Sequence, residues 1–342
     1  MQGVKIEKTK AEELRKYLRA AGLLDLEHKI FSKNGQVYIP LAARPGTKVL
    51  TKVKKLGGKL CNVRFQKQIR KRGESVRKLI KEDLPKAYDL LGDIAVINET
   101  KHAKKLARAI LQANPNVKTV VMKKSAVSGK YRTREFVHIL GKKNFVATYK
   151  ENGARFVFDI RKVFFSSRLA YERKRIADLV AKAKKAENVM VMFAGVGPFA
   201  IEIAKACKAC NVVAIELNAN AYKSMVENIK LNKVTNVVAI KGDVAKAVKK
   251  YKGWADRIVM PLPKSSYSFL GSVLVAARER CIVHYYCFGK AEKAIEENEQ
   301  KIKEFFEKRG KKVRFLFSRV VRPYSPSEDE VVIDFEIRSS QS

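Results

Sequence analysis

The run Val191-Met192-Phe193-Ala194-Gly195-Val196-Gly197-Pro198-Phe199 holds residues whose types and spacing suit chemistry. Its pattern is a buried strand, a tight glycine turn and the start of a helix. Glycine lets a ligand approach the backbone closely. Two acids follow at matched places: Glu216 ends the apolar run Val212 to Ile215, and Asp243 follows the run Val237 to Ile240. An acid at the tip of a second strand accepts hydrogen bonds from ribose hydroxyls. Together these residues describe a nucleoside-cofactor cleft at the carboxyl edge of a parallel sheet. A dinucleotide is disfavoured, because Pro198 and Phe199 follow Gly197 and leave the G-x-G-x-x-G pattern incomplete. The G-x-x-x-x-G-K-[ST] phosphate loop is absent as well. A nucleoside with a small charged tail fits better, and S-adenosylmethionine is the common one. Without the two acids, the glycine turn would be ordinary for any α/β protein.

Three further segments carry polar groups. Phe164-Phe165-Ser166-Ser167-Arg168-Leu169-Ala170-Tyr171-Glu172-Arg173 opens a helix, where Arg168 and Glu172 are spaced to form an i,i+4 ion pair. Ser128-Gly129-Lys130-Tyr131-Arg132-Thr133-Arg134-Glu135 reads as a basic loop entering a strand, suited to gripping phosphates. Met260-Pro261-Leu262-Pro263 ends a fourth strand beside the expected cleft. Prolines there stiffen the loop and remove backbone donors.

The charge balance points to the partner. Lys+Arg is 72 against Asp+Glu 34, a formal net charge of +38, well beyond what solubility needs. Lysine enrichment of the thermophile kind brings glutamate with it and leaves no such imbalance. A polyanion is the expected partner, nucleic acid first. No segment approaches about eighteen consecutive apolar residues, and the amino terminus lacks signal-peptide character. A cytoplasmic protein that does not bind membranes is expected. Cys207 and Cys210 form a lone C-x-x-C at a helix end, read as packing or a disulfide, and no metal site is expected. Cys281 and Cys287 share one face of a strand and read as core.

These groups need elements to hold them. At 342 residues and 46% hydrophobic, the chain can build two or three cored domains. Residues 1–70 read as a small α+β module: a helix over 10–21, a strand at Val37 to Leu41, then Pro45-Gly46 and a short strand near Val49. It ends in the basic linker Gln66 to Gly73. Residues 74–165 read as an α+β domain, with Leu90 to Ile97 as a turn into a buried strand, a helix over 101–113, a strand at 117–122 and three antiparallel strands thereafter. Glu151-Asn152-Gly153 joins the last two as a hairpin. Residues 166–342 alternate helix and strand, with strands near 189–193, 212–216, 236–240, 256–260 and 280–288. Strands at 312–321 and 330–337 close the pattern, separated by Arg322 to Ser327. The expected fold class is α/β: a Rossmann-like, mostly parallel seven-stranded sheet domain, preceded by an α+β middle domain and the small module.

Phe-Phe-Ser-x-Arg-Leu-x-x-Glu-Arg, then Phe-Ala-Gly-Val-Gly-Pro-Phe, an acid after the second strand and a proline-rich fourth-strand end together resemble the archaeal and eukaryotic tRNA (guanine-N1)-methyltransferase family. That family methylates the guanosine immediately 3′ of the anticodon. The resemblance covers the middle and carboxy-terminal domains by motif. It covers the leading module by position, as the family's amino-terminal domain that recognises the outer corner of tRNA. It implies that Glu172 is the general base and that Arg132, or secondarily Arg134, contacts guanine O6. It implies that Phe165, Glu216 and Asp243 contact the cofactor, and the expected cofactor set adds Arg168, Phe193, Gly195, Gly197, Leu217, Val244, Pro261 and Pro263.

Two departures stand out. Val191 replaces a common Asp, and Met260 replaces the Asn that usually opens the fourth-strand motif. The second resembles an archaeal subgroup, some of whose members also methylate C7 of the wyosine precursor. The expected function is therefore an S-adenosylmethionine-dependent, monomeric tRNA methyltransferase. Mechanistically, a carboxylate takes the N1 proton, and a fixed cation stabilises the charge that grows on O6. The base leaves its stack to reach the site. The alternatives are a wyosine-pathway aminocarboxypropyl transferase, which uses the same cofactor, and a non-catalytic RNA-binding protein.

Overall fold

The computed structural model describes residues 2–25, 28–65, 76, 87–125, 129 and 133–339. The chain divides into two compact units, residues 1–73 and 74–342.

Among the described residues the first unit is a four-stranded sheet in the order β2-β3-β1-β4, with two helices. Its strands are β1 (Gln2–Glu7), β2 (Phe31–Lys33), β3 (Gln36–Pro40) and β4 (Lys59–Asn62). Helix α1 (Ala11–Ala20) buries Leu14 and Leu18, which are one turn apart. Helix α2 (Thr47–Lys55) lies where the sequence suggested a strand near Val49. Val49, Val53 and Leu56 recur at helical spacing on one inner face, and that period outweighs the β preference of valine. The basic linker from Gln66 to Gly73 lies outside the described residues.

The second unit begins with the sheet β5-β6-β7-β8. Its strands are β5 (Tyr88–Leu91), β6 (Ile94–Ile97), β7 (Thr119–Lys123) and β8 (Phe136–Gly141), with α3 (Ala103–Ala113) crossing between β6 and β7. Strands β9 (Val146–Glu151) and β10 (Ala154–Asp159) do not extend that sheet and instead form a separate two-stranded hairpin. Asn152 and Gly153 take positive φ, 46° and 78°, as a tight primed turn requires.

The largest sheet has seven strands in the order β13-β12-β11-β14-β15-β17-β16. These are β11 (Asn188–Met192), β12 (Asn211–Glu216), β13 (Val237–Lys241), β14 (Ala255–Met260), β15 (Ala277–Lys290), β16 (Lys311–Ser325) and β17 (Glu328–Ser339). The pairings from β13 through β15 are parallel, and those joining β15, β17 and β16 are antiparallel. Helices α4 (Ala170–Ala181), α5 (Pro198–Ala206), α6 (Ala219–Leu231), α7 (Val244–Ala247), α8 (Leu270–Ala276) and α9 (Ala294–Glu307) lie between or beside the strands.

Side chains alternate across each strand, so the apolar runs feed two cores. Met190, Met192, Ile258 and Met260 face Leu270, Val273, Ile302 and Phe306. Val189, Val191 and Val259 face Ile176, Val180, Phe199 and Ile203 on the other side. Each fully buried side chain of this kind contributes roughly 1.5–3 kcal/mol. Val191 and Met260, the two departures from the family pattern, are fully buried in these cores.

The hairpin docks through the buried Asn228 and the exposed Asn152. Asn228 accepts from the Val157 N–H at 2.8 Å and donates to the Val196 carbonyl at 3.1 Å, linking β10 to the glycine turn. Asn152 donates to Glu202 at 2.7 Å. Strand β16 continues to Ser325, through the Arg322-Pro323 segment expected to separate two strands. An edge position tolerates proline because one side of the strand needs no ladder donor.

Candidate active site

The strand order reverses direction at β11 and β14, and the crevice beyond the carboxyl ends at such a switch point is where open α/β sheets bind ligands. The carboxyl ends of three neighbouring strands are joined there. The Ala194 N–H donates to the Ile215 carbonyl at 2.9 Å, and the Gly242 N–H donates to the Glu216 carbonyl at 2.9 Å. Glu216 Oε2 accepts the Gly195 N–H at 2.7 Å, and Oε1 accepts the Asn218 N–H at 2.7 Å. Burial raises the Glu216 pKa above the ordinary range, against the pull of the Asn218, Gly195 and Leu217 backbone donors.

Glycine is required at two points of this turn. Gly197, at φ 89°, precedes Pro198 at the first position of α5. A Cβ on Gly197 would stand 2.9 Å from Met225 Cγ. Gly195, at φ 59°, has only the Phe164 carbonyl, 4.0 Å from a built Cβ, so space is open above the turn. Phe193 also takes a positive φ, 59°, which for an aromatic marks stored strain of the kind found at ligand sites. Its ring packs edge-on to Phe269 at 4.7 Å.

The remaining cofactor candidates have varied surroundings. Asp243 caps α7 by accepting from the Ala245 N–H at 2.9 Å, while Val244 is buried in the core. Leu217 is half-buried. Pro261 is half-buried and Pro263 buried, the carbonyl of the latter accepting the Phe288 N–H at 3.3 Å. The open turn and the half-buried acid fit a nucleoside.

Phe165 and Arg168 line a cavity of about 350 Å³, together with Asp89, Lys123, Arg134 and Tyr324. Arg168 does not pair with Glu172, as i,i+4 spacing suggested. It reaches back to Asp89 at 2.9 Å, because the short 3-10 turn Ser167–Leu169 precedes the helix and alters the spacing on its face. Phe165 stacks on Phe158 at 4.6 Å and lies under the Arg173 guanidinium at 5.1 Å. Arg173 holds this segment by donating to the Ser166 carbonyl at 3.0 Å and to Glu151. Arg134 Nε is buried and without a hydrogen-bond partner among the described residues, an orphaned donor beside the cavity. Arg132 lies outside the described residues.

Glu172 stands in the first turn of α4, 1% exposed, and is not among the residues lining the cavity. Its Oε2 accepts from Arg175 Nε at 3.0 Å and from the Tyr286 hydroxyl at 2.9 Å. Its Oε1 accepts from two nitrogens of Arg319, Nε at 3.0 Å being one. Burial, and then the neighbouring Glu172 carboxylate, push the Tyr286 pKa well up, so the phenol keeps its proton and donates. Behind Arg175 lies Asp334, and His284 Nδ1 is 2.7 Å from Asp334 Oδ1. Arg257 donates to His284 Nε2 at 2.8 Å, which requires an unprotonated Nε2. Burial lowers the His284 pKa, in accord with a neutral ring. Sequence reasoning missed Arg319 and Tyr286, whose distance along the chain gave no local signal, and Arg175, whose i,i+3 spacing from Glu172 was the available signal.

Cys207 and Cys210 form a disulfide, and Cys281 and Cys287 are buried. Among the described residues no cluster of metal-ligating side chains occurs, and no helix is long and apolar enough to cross a membrane.

Comparison with known proteins adds to this geometry. The TRM5/TYW2 methyltransferase domain matches residues 147–315, the tRNA methyltransferase 5 N-terminal domain residues 3–48, and the TYW2 N-terminal domain residues 73–144. The tRNA (guanine(37)-N(1))-methyltransferase Trm5b of Pyrococcus abyssi is 38% identical over 344 residues, covering 98% of both chains. The tRNA 4-demethylwyosine(37)-methyltransferase Taw21 of Saccharolobus solfataricus is 33% identical over 261 residues, covering 75% of this chain and 95% of the other. A solved complex of aTrm5 with tRNALeu is similar at a TM-score of 0.66 and 30% identity, covering 98% of this chain and 99% of that one. Methanocaldococcus jannaschii TYW2 in complex with AdoMet is similar at a TM-score of 0.59 and 28% identity, covering 74% of this chain and all, 100%, of that one.

Proposed function

The chain belongs to the TRM5/TYW2 methyltransferase family, and on that premise we propose that it methylates N1 of guanosine 37 in tRNA, with S-adenosylmethionine as donor. One observation carries the reading: the glycine turn locked to Glu216 lies in a chain that resembles Trm5b from end to end.

When bound, S-adenosylmethionine supplies an electrophilic methyl group. This chain's residues hold it and prepare the acceptor. Glu216 offers its remaining lone pairs to the ribose hydroxyls, and the space above Gly195 admits the nucleoside. Glu172 takes the proton from guanine N1, which is a poor nucleophile until that proton leaves. Arg134, with its orphaned Nε, faces O6 as negative charge grows there. A donor of this kind is worth about 3 kcal/mol in the transition state. Residues 1–70 serve as a tRNA-recognition module, residues 74–165 as a middle domain and residues 166–342 as the methyltransferase domain. The protein acts as a monomer in the cytoplasm.

A second substrate is favoured by one feature. Met260 replaces a polar residue at the strand end and is fully buried, so it offers no side-chain amide to the base. With the likeness to Taw21, this supports methylation of C7 in 4-demethylwyosine as a second activity.

Incubating the protein with unmodified tRNA transcripts and labelled S-adenosylmethionine, then mapping the altered nucleoside, tests the reading. A methyl on N1 of guanosine 37 is expected. An aminocarboxypropyl group, or binding without transfer, overturns it. Repeating the assay with tRNA carrying 4-demethylwyosine tests the second activity.

A further inference from the structure

The Glu172 carboxylate has no room for a proton donor in this arrangement. Two nitrogens of Arg319 occupy Oε1, while Arg175 and the Tyr286 hydroxyl occupy Oε2. A carboxylate offers about four lone-pair sites. For Glu172 to accept the proton of guanine N1, one donor must leave.

The three donors are not equally free to go. Tyr286 is fully buried on β15. Arg175 is 13% exposed, tied to Asp334 behind it and packed 4.8 Å from the Phe317 ring. Arg319, on the edge strand β16, is 33% exposed, and Glu172 is the one carboxylate it meets among the described residues. Its guanidinium lies 4.7 Å from the ring of Tyr171, which is itself 66% exposed. Arginine suits a transfer of this kind, because the same planar fork matches a carboxylate or a phosphate.

We propose that Arg319 is a positioning residue for Glu172 that changes partner when RNA docks: its guanidinium leaves the carboxylate for a backbone phosphate, and Glu172 then stands open to the target base. In the free protein the cation holds the carboxylate in place and occupied. In the complex the vacated Oε1 faces outward, while Arg175 and Tyr286 keep Oε2 fixed. The proposal rests on the reading of Glu172 as the base of a tRNA methyltransferase.

A double-mutant cycle on RNA affinity tests it without reference to turnover. The probe is an unmodified tRNA transcript with guanosine 3′ of the anticodon, bound to wild type, Glu172→Gln, Arg319→Ala and the double variant at several salt concentrations. A neutral amide releases Arg319 more readily, so Glu172→Gln is expected to bind the transcript several-fold tighter than wild type. In the Arg319→Ala background the same substitution is expected to change nothing. Arg319→Ala alone is expected to bind more weakly, with a plot of log K against log salt flatter by about 0.7, as losing one phosphate contact to a single strand predicts. That last measurement involves only a partly exposed side chain, so it stands even if Gln at the buried position impairs folding. An unchanged salt slope in Arg319→Ala, or an equal gain from Glu172→Gln in both backgrounds, overturns the proposal. The assignment of the base is read separately, from the methyl-transfer rate of Glu172→Gln at saturating RNA: a retained rate removes the base, while the affinity cycle still reports where Arg319 goes.

Discussion

The N–H of Gly195 donates to Glu216 Oε2 at 2.7 Å, so the turn after the first parallel strand and the acid at the end of the second form one rigid object. Replacing Glu216 by Ala releases two backbone donors, those of Gly195 and Asn218, as well as removing the ribose acceptor. Affinity for S-adenosylmethionine is expected to fall more than tenfold, or about 1.4 kcal/mol, as read by calorimetry. Since burial raises the Glu216 pKa, donor affinity in the wild-type protein is expected to weaken on acidification from a pH above the usual glutamate range. The Ala variant is expected to lose that dependence.

Gly197→Ala is expected to destabilise the protein. The position holds φ at 89°, and the new Cβ would stand 2.9 Å from Met225 Cγ. Left-handed backbone costs a non-glycine residue about 1–2 kcal/mol before any collision is counted. A denaturant titration measures the loss, and cofactor binding is expected to weaken in parallel.

Asp334→Asn breaks the buried series of charges behind Glu172, leaving Arg175 with Glu172 alone of its two carboxylate partners. Unpairing one partner of a buried ion pair costs about 3 kcal/mol. The substitution is also expected to change acid sensitivity. Burial alone would raise the Asp334 pKa, but His284 and Arg175 outweigh it and hold the carboxyl at about 2, below the ordinary 3.8. A depressed carboxylate contributes stability that is full above its unfolded value and is lost as pH falls toward the folded one. Melting curves taken below about pH 4 are therefore expected to fall less steeply for the Asn variant.

Glu202 behaves in the opposite sense. Burial and the facing Glu151 raise its pKa to about 9 from 4.5. The carboxyl stays protonated in the fold, and the stability this contributes is full at acid pH and lost as pH rises toward that value. Glu202→Gln mimics the protonated form. The variant is expected to match wild type below about pH 4.5 and to gain on it steadily as pH rises above that, by thermal melts across that range.

Much of the large sheet was legible because its strands are buried on both faces and appear as unbroken runs such as Val189 to Met192 and Val212 to Ile215. The glycine turn and Glu216 were legible because both lie at the ends of such runs. The helix at Val49 was misread because the run is short, and only its packing against the sheet decides between period two and period 3.6. The two remote partners of Glu172, Arg319 and Tyr286, were not legible for a different reason. Arg319 lies 147 positions away, and only the antiparallel return of β16 brings it back over α4. Arg168 illustrates the same limit on a small scale: helical spacing offered it Glu172, and tertiary structure gave it Asp89.

Strand β16 is 15 residues long and lies at the border of the sheet, with Leu316, Phe317 and Val320 exposed. A flat strand of that length would be a template for fibril growth. Its pairing slips between Phe315 and Phe317, between Val320 and Arg322, and between Pro323 and Ser325, and Pro323 offers no N–H. A foreign strand meets an interrupted ladder there and finds no long register to zip along. The irregularities of the last hairpin thus make its outer border a poor template for a further strand.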